Sequence, residues 1–219
     1  MMDRCRVGNR EIRCHLPVDA RFVWLQPTFD EDYGSLDREL GLISSKQPFG
    51  FVAFPLQNWN DELSPWPAPP VYGNEPFGGK GEETLAYMTG SLLPWVKQRQ
   101  GDVPVGVGGY SLAGLFALWA ATRTSAFASV VAASPSVWFP GWADYEREHH
   151  ILARRVYLSL GLKEEKTRNV VMRQVGDRIR FLEQELRGRG VDVTLQWNPG
   201  GHFMPSDERC AKGYTWALR

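Results

Sequence analysis

The chain has 219 residues, of which 43% are apolar and 23% charged, enough to build a sizeable core and unlike a disordered polymer. Lys plus Arg and Asp plus Glu each number 25, so the formal net charge is zero and no global field draws the chain to nucleic acid or to an anionic membrane. No stretch has the apolar length needed to cross a bilayer, and three scattered cysteines (Cys5, Cys14 and Cys210), without a C-x-x-C pair, argue against a disulfide framework or a zinc site.

The opening segment MMDRCRVGNREIRCHLP lacks the apolar run of a secretory leader, so a reduced, cytoplasmic protein is expected. RFVWLQP (Arg21–Pro27) alternates and reads as a strand, and FGFVAFP (Phe49–Pro55) reads as a second, buried one. Phe54 to Gly81 is a long irregular stretch rich in Pro and Trp. An ordered surface loop that walls a pocket fits it better than disorder does. Leu85, Met88, Leu92 and Val96 repeat at helical spacing, with Pro94 predicting a kink.

Val103–Tyr110 is the next buried strand, and Leu112–Thr122, apolar on nearly every side, predicts a buried helix. Strands follow at Phe127–Ser134 and Arg154–Gly161. The stripe Val171, Val175, Ile179, Leu182 and Leu186 predicts a long helix, with Thr167 as N-cap and Gly188 as its stop. Val191–Pro199 is the last strand, and a short helix closes the chain. Strands alternating with helices predict an α/β fold in one domain over 1–219, its mostly parallel central sheet covered by helices on both faces.

One turn in this pattern carries chemistry. Gly109-Tyr110-Ser111-Leu112-Ala113 lies between a buried strand and a buried helix, the setting of a G-x-S-x-G nucleophile elbow. Such a turn pushes the serine hydroxyl outward, and the residues two positions away must be small. Gly109 and Ala113 both qualify. A dinucleotide-binding G-x-G-x-x-G counted from Gly106 would need glycine where Ser111 stands, and Lys80 is followed by Gly81 rather than the Ser or Thr of a phosphate loop.

A base and an acid must then follow in chain order. His15 comes too early, and His149 and His150 sit in a charge-rich segment. His202 directly follows the last strand, in NPGGHF, where sites form at the carboxyl ends of parallel strands. Asp177, Glu183 and Glu185 belong to the long helix, and Asp192 opens a strand at its wrong end. Glu164 is the first candidate acid, with Glu165 and Asp144 left open behind it.

GGYSLAGLFALWAA, VYLSLGLKEEKT and NPGGHF, in that order, resemble the esterase D-like branch of the α/β-hydrolase superfamily. Siderophore esterases, feruloyl and acetyl-xylan esterases and S-formylglutathione hydrolase belong to that branch. The likeness covers the last half of the chain well and Phe51–Trp59 loosely. It implies an α/β-hydrolase fold without a large cap domain and a serine esterase with nucleophile Ser111 and base His202. Gly161-Leu162-Lys163-Glu164 matches the G-x-x-E of siderophore-esterase relatives. Other relatives carry Asp directly after the glycine, where this chain has Leu162, so Glu165 stays open.

On that fold the N–H of Leu112 forms one half of an oxyanion hole, and the loop after an early strand supplies the other half. Counting past Phe51–Pro55 points to Gln57, with Leu56 next. Trp59 and Trp138 are candidate pocket residues. No metal or organic cofactor is needed, and the expected partner is a small-molecule ester. A thioesterase or acyltransferase of the same fold, or a non-catalytic binding protein, is the alternative.

Overall fold

The computed structural model describes residues 2–29 and 33–219. Its centre is an eight-stranded sheet. An N-terminal hairpin of β1 (Asp3–Val7) and β2 (Arg10–His15) leads into β3 (Val23–Phe29), α1 (Tyr33–Leu42) and β4 (Gly50–Leu56). The hairpin is absent from the sequence reading because its strands carry charge at most positions. Their burial pattern is that of an edge, with only Val7, Ile12 and Cys14 fully buried.

The Pro- and Trp-rich stretch is ordered. It holds the short helix α2 (Trp59–Leu63) and a two-rung ladder of β5 (Pro67–Ala68) with β6 (Phe77–Gly78). Phe77 is buried, and the Trp66 Nε1–H donates to the Pro140 carbonyl at 2.8 Å, which ties the stretch to the body.

The next helical region is α3 (Gly81–Tyr87), a π-helical turn at Met88–Leu92, and α4 (Leu93–Gln100). The predicted disruption at Pro94 therefore falls one turn earlier. Proline lacks an N–H and crowds the carbonyl four residues before it, and the wider π turn absorbs both effects.

From here strands and helices alternate: β7 (Val105–Tyr110), α5 (Leu112–Arg123), β8 (Ser129–Ala133), α6 (Trp142–Glu148) and β9 (Arg155–Gly161), then α7 (Val175–Gly188), β10 (Asp192–Asn198) and α8 (Ser206–Ala217). The sheet order is β1-β2-β4-β3-β7-β8-β9-β10, with β1, β2 and β4 paired antiparallel and every later neighbour parallel.

The core divides by face. Residues 112–121 of α5 are all buried, in one cluster with Val107, Val130, Leu158 and the inner stripe of α7. On the other face α1 and α8 pack Leu36, Cys210 and Tyr214 against Trp24, Phe51 and Tyr157. Among the described residues no helix is long and apolar enough to cross a membrane. The three cysteines are free, and Cys5 and Cys14 face each other across the hairpin with their sulfurs 3.4 Å apart.

The largest boundary difference from the sequence reading is in the long helix. The long helix starts at Val175, eight residues after the predicted cap Thr167. The reason is Asn169. Its side-chain oxygen accepts from the Val171 and Met172 amides, and its Nδ2 donates to the Val71 carbonyl at 2.7 Å. An Asx turn of this kind competes with the helix, and the β-branched pair Val170-Val171 does little to resist it. Val171 is consequently exposed rather than part of the buried stripe.

Candidate active site

The carboxyl ends of β7, β8, β9 and β10 lie side by side, and each delivers one part of a polar cluster. Ser111 follows β7 with φ 58° and ψ −119°, one of two non-glycine residues with positive φ among those described. Its amide donates to the Ala133 carbonyl at 2.9 Å, so the strained turn is pinned to β8.

The small neighbours are needed sterically. A Cβ on Gly109 would stand 2.5 Å from the Ala113 Cβ. Gly109→Ala is therefore expected to destabilise the fold by about 1–3 kcal/mol. Differential scanning calorimetry would read this as a Tm several degrees lower, and an unchanged Tm would mean that the turn has room to spare.

The Ser111 Oγ lies 3.0 Å from His202 Nε2, and His202 Nδ1 lies 2.7 Å from Glu164 Oε2. Sequence-selected residues 111, 164 and 202 thus form one continuous hydrogen-bonded chain. Glu164 opens a 3₁₀ turn just past β9, and only 5% of its side chain is exposed. Its other oxygen, Oε1, accepts from the Gly161 amide at 2.7 Å, the Ser134 hydroxyl at 2.8 Å and Arg209 Nη1 at 2.7 Å.

Burial by itself would push the Glu164 carboxyl up. The hydrogen bond and charge of His202, with the bonds from Ser134 and Gly161, outweigh burial and bring it below its ordinary value. A carboxylate only accepts, so the imidazole carries its proton on Nδ1 and turns the Nε2 lone pair toward the serine.

Tyr110, Ser134 and Arg209 escaped the sequence reading. The Tyr110 hydroxyl donates to the His202 carbonyl at 2.7 Å, and burial pushes that phenol up to about 12, which keeps it a donor. Ser134, the other residue with positive φ, uses its strained position at the end of β8 to reach Glu164. Ser136 also adjoins the serine, Oγ to Oγ, at 3.4 Å. The Ser-Pro-Ser run after β8 was the available signal, since it occupies the same carboxyl-end position as the elbow.

The remaining candidates separate. Glu165 pairs with Arg180 at 2.8 Å, and Asp144 sits in the first turn of α6, exposed and paired with Arg147, so neither meets the histidine. Leu112 is the first residue of α5, where an amide has no intrahelical carbonyl to bond.

Gln57 does not fit the role assigned to it. Its amide is taken by Glu62 Oε1 at 2.6 Å, and it follows β4, which β3 separates from β7. β3, which ends at Phe29, is the strand that pairs with β7. Trp59 stacks on Phe29 with ring centroids 4.3 Å apart. Trp138 is buried against Tyr72 and Phe77 and lines a cleft of about 820 Å³ bounded by Pro69–Val71 and Asn169–Val171. No group of three or more His, Cys, Asp or Glu side chains among the described residues is placed to hold a metal ion.

The sheet order and the strand-turn-helix at Ser111 are those of the α/β-hydrolase fold, and the family match makes the chain an esterase. The chain belongs to the family described as "Putative esterase", whose model matches residues 38–199. It is similar in structure to an IroE-like serine hydrolase from Shewanella oneidensis, at TM-score 0.80 and 14% identity, covering 100% of this chain and 80% of that one. It is similar also to the siderophore hydrolase EstB from Aspergillus nidulans, at TM-score 0.68 and 17% identity, covering 98% and 92%. The enterobactin esterase FES from Shigella flexneri matches at TM-score 0.67 and 15% identity, and the alignment covers 98% of this chain but 58% of that longer protein. No curated protein matches the sequence.

Proposed function

We propose that the chain is a serine hydrolase that cleaves a small carboxylic ester through a covalent acyl-enzyme. One observation carries this reading: the unbroken Glu164–His202–Ser111 chain ends on a serine held in an elbow conformation. His202 Nε2 takes the Ser111 proton as Oγ attacks the ester carbonyl. The resulting imidazolium is stabilised by Glu164, gives its proton to the leaving alcohol, and is formed again when water attacks the acyl-enzyme. The oxyanion is received by the Leu112 N–H and by backbone at the carboxyl end of β3, in place of Gln57.

Labelling with a fluorophosphonate tests the proposal. Covalent adduct on the Ser111 peptide, lost on denaturation before labelling, is expected. A folded protein that stays unlabelled would overturn it.

The neighbours are described as a siderophore hydrolase and an enterobactin esterase, and for this chain Trp138, whose cleft holds Asp144, Arg147 and Arg178 but none of Ser111, Glu164 and His202, is the aromatic residue that supports an ester with an aromatic part. Ser136, in contact with Ser111, stands two residues before that tryptophan. Losing one aromatic contact costs about 0.5–1.5 kcal/mol. Trp138→Leu is therefore expected to lower kcat/KM for p-nitrophenyl phenylacetate by about 3–10-fold, with little change for the acetate. Equal losses on both esters would remove Trp138 from the pocket.

A further inference from the structure

Arg209 lies on α8, almost completely buried, and its two terminal nitrogens divide their work. Nη1 donates to Glu164 Oε1 at 2.7 Å, to the Ser134 hydroxyl at 2.8 Å and to the Tyr110 hydroxyl at 3.1 Å. Nη2 donates to the carbonyls of Gly201 at 2.8 Å and Pro199 at 3.1 Å, on the loop that presents His202. One guanidinium therefore grips the acid with one nitrogen and the histidine loop with the other. Tyr110, held by the same group, donates in turn to the His202 carbonyl.

Burying a guanidinium is costly unless its donors are matched. Two loop carbonyls would also be met by a lysine or by water. What a planar fork adds is a fixed distance between the two things it holds.

We propose that Arg209 is a positioning residue that keeps the His202 imidazole aimed at Ser111 as a base, by sharing the Glu164 carboxylate and fixing the loop that carries the histidine. This rests on the reading of His202 as the base of a serine esterase.

The charges around the pair decide the sign. From the turn after β9 comes the Glu164 carboxylate. From β7 comes Tyr110, a neutral phenol. From α8 come Cys210, whose thiol burial pushes well up, and Asp207, paired with Arg38 at 3.0 Å. From α1 comes Glu39, whose carboxyl burial pushes to about 8. Lys163 adjoins the loop at Gly201. Glu164 thus faces His202 with one oxygen and Arg209 with the other, and the guanidinium itself opposes a resting imidazolium. Without Arg209 the carboxylate would act on His202 alone, and an uncompensated negative charge beside an imidazole favours its cationic form over the base.

The test compares wild type, Arg209→Met and Arg209→Lys by the rate of fluorophosphonate labelling at Ser111 and by p-nitrophenyl acetate hydrolysis across pH. The Met variant is expected to move the acid limb of both profiles up by about one pH unit. It should also lower kcat about tenfold or more with little change in KM, since a loosened loop misaims the base. The Lys variant keeps the charge, so its acid limb should stay near wild type. An ammonium cannot span the acid and both carbonyls, so its kcat should still fall.

A Met variant with the wild-type acid limb would overturn the proposal, including the case where only its labelled fraction drops, as a purely structural arginine predicts. A Lys variant with wild-type kcat would overturn it as well, and decides the matter if the Met variant does not fold. Wild type that takes no label would instead refute the underlying esterase mechanism.

Discussion

Ser111→Ala is expected to lower kcat/KM for p-nitrophenyl acetate by at least about 10⁴-fold while leaving the fold intact. The substitution removes one oxygen. That oxygen makes a 3.0 Å bond to His202 Nε2 and a longer contact to Ser136, a loss of only about 1 kcal/mol in net stability. The backbone strain at φ 58° is the same for alanine as for serine, and the pinning bond to Ala133 is made by the main chain. Tm should therefore stay within a few degrees of wild type, so that lost activity reports chemistry and not unfolding. More than about 1% residual activity would sink the assignment of the nucleophile at the level of loss expected here. The first replacement to test would be the neighbouring hydroxyl of Ser136, through the double variant.

The parts of this site that could be read from sequence are those fixed by short-range sterics. Gly109, Ser111 and Ala113 had to be recognised together, because the turn excludes larger side chains two residues either side of the serine. Glu164 was legible only as the first of a pair with Glu165, since both come straight after a buried strand and chain order does not say which of them turns to His202. His202 was legible because two glycines separate it from the last one.

What stayed hidden depends on which strands become neighbours. The assignment of Gln57 counted from the right kind of strand but the wrong one, since β3 is inserted between β4 and β7 in the sheet. Chain order does not reveal that insertion. Arg209 looks like any charge in the run Ser206-Asp207-Glu208-Arg209, and only the docking of α8 shows that it is turned inward while Glu208 is exposed. The late start of α7 has the same origin: Asn169 prefers a turn because its amide finds the Val71 carbonyl, 98 residues earlier in the chain.

Glu164→Gln carries the second large expected effect, a loss of about 10⁴ in kcat that raising the pH does not restore. Three donors converge on Oε1, from Gly161, Ser134 and Arg209, so in the variant the amide oxygen must take that place. The amide nitrogen then faces His202 Nδ1, where the carboxylate oxygen now accepts at 2.7 Å. Two donors cannot share that contact, so the imidazole moves its proton to Nε2. His202 would then present an N–H to the Ser111 hydroxyl instead of a lone pair, and it could not act as base. Because the fault is a tautomer and not a protonation state, alkaline pH leaves it in place. The flipped amide offers no escape, since it would set its NH₂ group against the Arg209 guanidinium inside the fold. The loss should fall on kcat with KM for p-nitrophenyl acetate little changed. A variant that recovers most of its activity at high pH would show that Glu164 does not act by fixing which nitrogen of His202 holds the proton.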